Sequence, residues 1–159
     1  MGFLNEIPPA IWVILTGAAP IFELRGAIPL AWQLGFEASP SFFLAVFGNL
    51  LPVMPLLLML RAVREFLEKK VPFFRSFFAW LDRRTYKRSD RVEKYGVIGL
   101  IVLTAIPLPT TGAWTASLAA VLFKLPFWSS FFAILTGVII AGVLVTLITF
   151  GFISSLFLV

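Results

Sequence analysis

Glu23 and Arg25 are the residues best placed to do chemistry, because they are charges set midway through the otherwise apolar run from Ile7 to Phe36. They lie within Ala19-Pro20-Ile21-Phe22-Glu23-Leu24-Arg25-Gly26-Ala27-Ile28-Pro29. A desolvated carboxylate at such a place can take up and release a proton, and a guanidinium beside it can pull its affinity back or grip a phosphate bidentately. Burying either charge near a bilayer centre costs about 2.5–3.5 kcal/mol on insertion scales, so such residues mark a protein interior or a water-filled cavity. The competing role is structural: an ion pair holding a loop. Spacing of i,i+2 does not put both side chains on one helix face, but an unwound tip can bring them together.

A second polar set interrupts the uncharged run from Tyr95 to Phe123, in Pro107-Leu108-Pro109-Thr110-Thr111-Gly112-Ala113-Trp114-Thr115. Thr110, Thr111 and Thr115 are candidates for contacting substrate or a coupling ion, against the alternative that their hydroxyls satisfy broken backbone. Gly26 and Gly112 open candidate half-helices whose positive N-terminal ends favour an anionic ligand. Asn49 is a further candidate for substrate binding, or for a helix-to-helix hydrogen bond. Pro20, Pro29, Pro107 and Pro109 read as the structural breaks of two hairpins.

The elements that must hold these residues follow from length. Ile7 to Phe36 is too long for one crossing and too short for two, at about 20 residues each. Two half-helices, about Pro9–Pro20 and Gly26–Leu34, fit instead, with Gly35 and Glu37 to Pro40 marking the return to the surface. Irregular backbone at that depth requires a cavity or protein around it. Ala38 to Leu60 reads as a full span, kinked in its second half by Gly48, Pro52 and Pro55, with Asn49 turned toward the bundle. Tyr95 to Phe123 again suits two half-helices, and Phe127 to Phe150 is a second span, with Gly137, Ala141 and Gly142 for close packing.

Composition narrows the function. The chain is 60% hydrophobic with a mean hydropathy of +0.98, which predicts an all-α integral membrane protein. It has no cysteine and no histidine, which removes disulfides, thiol nucleophiles, Cys/His metal sites and imidazole catalysis. No acid pair or Ser–Lys pair is placed to replace them, so no enzyme, cofactor or metal is expected. Met1 to Pro9 has no basic residue, unlike a cleaved signal peptide, and is expected to be mature sequence.

The net charge of +5 is concentrated between Arg61 and Lys94, which holds eleven of the thirteen Lys and Arg residues. Such a linker predicts a cytoplasmic segment of a plasma or inner membrane protein, with both termini outside. Its phenylalanines, Phe73, Phe74, Phe77 and Phe78, recur with Leu81 on one helical face ringed by Arg75, Arg83 and Arg84. That pattern predicts a helix lying on the membrane surface among lipids, anionic ones included, rather than on nucleic acid.

The chain therefore divides into a first repeat (7–60), a basic amphipathic linker (61–94) and a second repeat (95–159). Gly26-Ala27 and Gly112-Ala113 match, as do Ser41 with Ser130 and Gly48 with Gly137 after a three-residue slip. Each repeat is a re-entrant hairpin plus one span, an odd number of crossings, so the second is expected to be inverted.

The two hairpin motifs, Pro20 to Pro29 and Ala105 to Thr115, resemble the small multidrug export protein family, over about residues 10 to 150. That family is distantly similar to the DedA/VTT superfamily. The resemblance implies two re-entrant hairpins and transport of an amphipathic substrate, a lipid phosphate such as polyprenyl phosphate or a hydrophobic drug, driven by an ion gradient. DedA-type proteins carry arginine in the second hairpin, where this chain has no charge. Glu23 and Arg25 are then the coupling pair, and Arg25, Gly26, Asn49, Thr110, Thr111, Gly112 and Thr115 the substrate contacts. A chain with two full spans gives a cavity little wall, so a homodimer or larger assembly is expected. The alternative of another class is a membrane assembly protein in which the pair serves folding alone.

Overall fold

The computed structural model describes residues 8–86, 89–107 and 111–157, which form helices and short connections without a strand. Pro109 and Thr110 lie outside the described residues. Eight helices follow in order: α1 Pro9–Ala18, α2 Glu23–Gln33, α3 Ala38–Leu50, α4 Val53–Lys70, α5 Pro72–Tyr86, α6 Ser89–Ala105, α7 Ala113–Leu122 and α8 Phe127–Phe157.

The first apolar run folds as two short helices joined by a turn at Ala19–Phe22, with Pro20 inside that turn. Two details differ from the sequence expectation. α2 begins at Glu23, three residues before Gly26, so Glu23 and not Gly26 stands at the helix start. Pro29 lies inside α2 rather than at the break, where its missing N–H leaves the helix without one hydrogen bond in its second turn.

α3 and α4 run on from one another through Leu51 and Pro52, both with right-handed helical backbone, so the break falls where Pro52 removes a donor. Together they make a segment, Ala38–Lys70, long and apolar enough to cross a membrane, and Phe127–Gly151 of α8 is another. α4 continues past Leu60 into the basic segment without a boundary there, because Arg61, Arg64 and the alternating charges after them extend the same helical face. Leu15, Phe43, Phe47, Leu147 and Ile148 are exposed around the outside. Apolar residues outside and small apolar residues inside are the distribution of a membrane protein.

α1 packs on α2 and α3, α6 on α8 and α7, α8 against α2 and α3, and α4 against α5 and α7. Alanines supply much of the buried interior: Ala27 and Ala31 of α2, Ala45 of α3, Ala113, Ala116 and Ala120 of α7, and Ala133 of α8. Side chains this small let helix backbones approach closely. The extreme cases are Gly48 of α3, where an added Cβ would collide with the backbone of Ile14, and Gly137 of α8, where it would meet Thr104 and the Ile101 carbonyl of α6.

The same construction recurs at the ends of α2 and α7. Phe36 N–H bonds the Ala31 carbonyl and Leu125 N–H the Ala120 carbonyl, both at 3.0 Å, while Gly35 (φ +85°) and Lys124 (φ +54°) take the left-handed conformation. Both are Schellman-type stops. Ser41 and Ser130 then follow, each fully buried and each returning its hydroxyl to the carbonyl four residues earlier. Buried positions Leu24, Ala27, Ile28 and Ala31 correspond to Ala113, Ala116, Ser117 and Ala120 in this same register. The slip expected from sequence therefore disappears. It was an effect of pairing Gly26 with Gly112, whereas in the common register Gly112 corresponds to Glu23.

Candidate functional site

The start of α2 and the start of α7 meet in the middle of the bundle. Glu23 has a φ of +47°, the left-handed region, which for a side-chain-bearing residue costs on the order of 1–3 kcal/mol and persists where surrounding contacts enforce it. Its residue is 5% exposed. One carboxylate oxygen, Oε1, accepts the Trp114 N–H at 3.4 Å. The other, Oε2, lies 3.5 Å from Nη2 of Arg25. Both contacts are at the long end of hydrogen bonding, so the carboxylate is surrounded by donors without being gripped by any.

Arg25 bridges the two motifs, since its Nη2 also donates to the Thr111 carbonyl. The indole N–H of Trp114 donates to the Ala18 carbonyl at 3.2 Å, tying α7 to the end of α1. Gly112 completes the contact: a Cβ on it would overlap the Glu23 carboxylate. Charge, dipole and shape agree here, because an anion at a helix N-terminus is stabilised by the partial positive charge of the exposed N–H groups.

The sequence candidates thus divide. Glu23, Arg25, Asn49, Pro107, Thr111 and Gly112 border one small cavity together with Thr104, Ala141 and Val145. Thr111 enters through its backbone, as its hydroxyl is donated to the Ile106 carbonyl at 2.7 Å. Thr115 is exposed and acts on its own helix: its hydroxyl accepts the Gly112 N–H at 3.0 Å and bonds the Gly112 carbonyl at 3.1 Å. This is the reach-back of a residue in the first helical turn. Gly26 meets Phe22, whose side chain lies 2.8 Å from where a Cβ would be. Asn49 is 1% exposed and its Oδ1 has no hydrogen-bond partner.

The cavity measures about 10 Å³, which is room for one water at most. Among the described residues, this cavity is too small to take an amphipathic molecule.

A second polar centre, at the far end of α4, was missed in the sequence. Arg64 is 6% exposed. It donates to the Val121 and Leu122 carbonyls at 2.6 and 2.9 Å, to Glu68 at 2.7 Å and to Asp82 at 2.8 Å, and its guanidinium lies 4.6 Å from the centre of the Phe78 ring. Arg61 donates to the Leu125 carbonyl at 2.6 Å. Arg64 thereby closes the last turn of α7, where carbonyls lack partners and the dipole is negative, and Arg61 holds the connection that follows it. Lys124 pairs with the same Asp82. Partial burial works to raise the Asp82 pKa, but hydrogen bonds and charge from Lys124 and Arg64 outweigh it and hold the carboxyl below its ordinary value. The signal available in sequence was position: Arg64 continues the face of Val53 and Leu57, which are buried, at helical spacing.

The phenylalanine face of α5 also divides. Phe78 is buried under Arg64, while Phe73, Phe77 and Trp80 stay exposed. Between α4 and α5 an open cleft of about 470 Å³ is bordered by Glu68, Lys69, Lys70, Arg75, Ser76 and Arg83.

Neither a curated protein nor a solved structure matches this chain. The sequence profile of the family described as "Putative small multi-drug export protein" matches residues 23–144, opening at Glu23 and enclosing both polar centres. Because that match covers well over half of the sequence, the chain belongs to this family of small multi-drug export proteins.

Proposed function

We propose that the protein is a secondary transporter in which Glu23 is both the resident anion of the site and its proton-coupling group, and that it moves an anionic amphiphile such as a lipid phosphate. The observation that carries this reading is the position of the Glu23 carboxylate between Arg25 and the N-terminus of α7. The N-terminus of α7 and a guanidinium converge on one carboxylate, which itself stands at the start of α2. When Glu23 takes a proton these donors lose their anion, and the site becomes attractive to an incoming phosphate. Proton and anion would then enter together, and leave together once the site opens to the other side.

The architecture proposed for this is two inverted hairpin-plus-span repeats, α1–α3 and α6–α8. It is supported by the shared register of Gly35, Ser41 and Gly48 with Lys124, Ser130 and Gly137. It is supported also by direction. α7 ends beside Arg61 and Arg64 on late α4, whereas α2 ends at the start of α3, the opposite end of the α3–α4 rod. By the positive-inside rule, the basic segment supports a cytoplasmic side for that α7 end. The cleft between α4 and α5, with Lys69, Lys70, Arg75 and Arg83 against Glu68 on its wall, and the exposed Phe73, Phe77 and Trp80 of α5 suit the cytoplasmic leaflet and its anionic lipids. A second copy of the chain would supply the remaining wall of an opened cavity.

The family description favours a second reading, export of a hydrophobic drug. Liposomes containing the protein, a polyprenyl phosphate and an imposed proton gradient separate the two. Gradient-dependent transfer of the phosphate headgroup between leaflets, lost in folded Glu23→Gln, supports lipid-phosphate transport. Absence of that transfer together with gradient-driven extrusion of a hydrophobic dye selects drug export. Absence of both, with Glu23→Gln and Arg25→Ala damaging only folding yield, leaves an assembly role.

A further inference from the structure

The orphan carbonyl of Asn49 has no counterpart among the donors around it. Asn49 is 1% exposed on α3, and its Oδ1 is buried without a partner. The cavity it borders with Glu23 is one water wide. Among the described residues, Nη2 of Arg25 gives to Glu23 and the Thr111 carbonyl, the Thr104 hydroxyl to the Leu100 carbonyl, and the Thr111 hydroxyl to the Ile106 carbonyl, so none of these is aimed at Asn49. A buried acceptor left unpaired is destabilising, and a donor that comes within its reach relieves that cost. Protonation of Glu23 would add a new donor, its own O–H, on the wall of this cavity.

We infer that Asn49 is the hydrogen-bond acceptor for the protonated form of Glu23, reached across the cavity directly or through the single water it can hold. The inference rests on Glu23 taking up a proton, as the proposed function requires. The proton stays on Glu23, and Asn49 changes no covalent bond. Asn49 is thus a positioning residue: it leaves α3 with an unsatisfied carbonyl while Glu23 is ionised and gives α3 a new bond to α2 when Glu23 is neutral. Arg25 is the other charged group on the cavity wall, and it favours the ionised state. The two neighbours therefore pull in opposite directions, Arg25 toward the carboxylate and Asn49 toward the acid. Because α2 and α3 pack directly on one another, the protonation state is passed to the α3–α4 rod.

Infrared difference spectroscopy of the purified protein in lipid nanodiscs, stepped from neutral to acid pH, tests this. The carboxylic C=O band assigned to Glu23 is the one missing in Glu23→Gln. In Asn49→Leu, similar in volume but without an acceptor, that band is expected at higher frequency, as for an acid that has lost its hydrogen bond. Thermal stability gives a second reading. Asn49→Leu is expected to match or exceed the parent at neutral pH, where it removes an unpaired polar group, and to fall below it in acid. An unmoved band in folded Asn49→Leu overturns the inference while leaving Glu23 protonation, and the proposed coupling, intact. A protein with no Glu23 carboxylic band at any attainable pH overturns both. Loss of stability at all pH values with an unmoved band assigns Asn49 to helix packing alone. Should Asn49→Leu not fold, Asn49→Val removes the acceptor with a smaller side chain and is read in the same way.

Discussion

The carboxylate of Glu23 rests against the bare Cα of Gly112, at the place a side chain would occupy. One residue starts α2 and the other caps the start of α7, and in the common register of α2 and α7 they are equivalent positions. The site is asymmetric for that reason: a charge on one side is accommodated by an absence on the other.

Gly112→Ala is therefore expected to fail where most glycine-to-alanine changes in a helix start are tolerated. The added methyl must displace the carboxylate or push α7 away from α2, an overpacking cost of about 1–3 kcal/mol. Thermal unfolding in detergent should show that loss, and transport should fall with it. Pairing the change with a smaller acid, as Gly112→Ala with Glu23→Asp, is expected to recover part of the stability because the obstruction is the carboxylate itself.

Glycines on helix interfaces give a graded series. Gly48→Ala would press on Ile14 backbone and Gly137→Ala on Thr104 and the Ile101 carbonyl, so each should destabilise by about 1–3 kcal/mol. Gly99 lies on the exposed face of α6 with nothing within 4 Å of its added Cβ. Gly99→Ala should leave stability unchanged or raise it by about 0.5–1 kcal/mol through helix propensity. Equal losses at all three positions would contradict the packing described for α1–α3 and α6–α8.

How much of this was legible in the sequence depends on whether the signal was local. The breaks at Ala19–Phe22 and before Ala113 were legible because proline and charge in an apolar run are costly anywhere in a membrane. Asn49 facing the bundle was legible for the same reason. Gly112 was recognised as a helix opener, but its fit to Glu23 depends on a contact between distant segments. Arg64 stood out in the sequence only as one of the eleven basic residues between Arg61 and Lys94. Its burial is decided by the carbonyls at the end of α7 and by Asp82, and those partners are 57 or 58 and 18 residues away. The register between α2–α3 and α7–α8 was misplaced because Gly-Ala pairs align by eye, whereas the buried positions and the helix stops share another register.

Arg64 joins three helices, and its removal should be the most damaging single change outside the Glu23 site. Arg64→Ala leaves Asp82 with Lys124 alone and uncovers the last carbonyls of α7. Breaking a buried charge cluster from one side costs about 3–5 kcal/mol, and a loss near the lower figure is expected because Asp82 is 21% exposed. Arg64→Lys keeps the charge but cannot span Glu68, Asp82 and two carbonyls at once, so it should recover only part of the stability. The measurement is thermal unfolding of each variant in the same detergent.

Asp82 makes the same cluster sensitive to acid. Its carboxyl is held below the ordinary value, so the folded state prefers it ionised. The resulting stabilisation is fully present above about pH 4, the unfolded value, and drains away as pH falls through the depressed folded value. Asp82→Asn should therefore be less stable than the parent at neutral pH, with the gap closing as the solution is acidified below that point. A gap that stays constant through the acid range would mean that the Asp82 carboxylate adds nothing as a charge and serves only as a hydrogen-bond acceptor. Its closing would show that the α5 surface helix is fastened to α4 and α7 by charge, and that acid loosens this fastening at the end of the bundle opposite the α2–α3 turn.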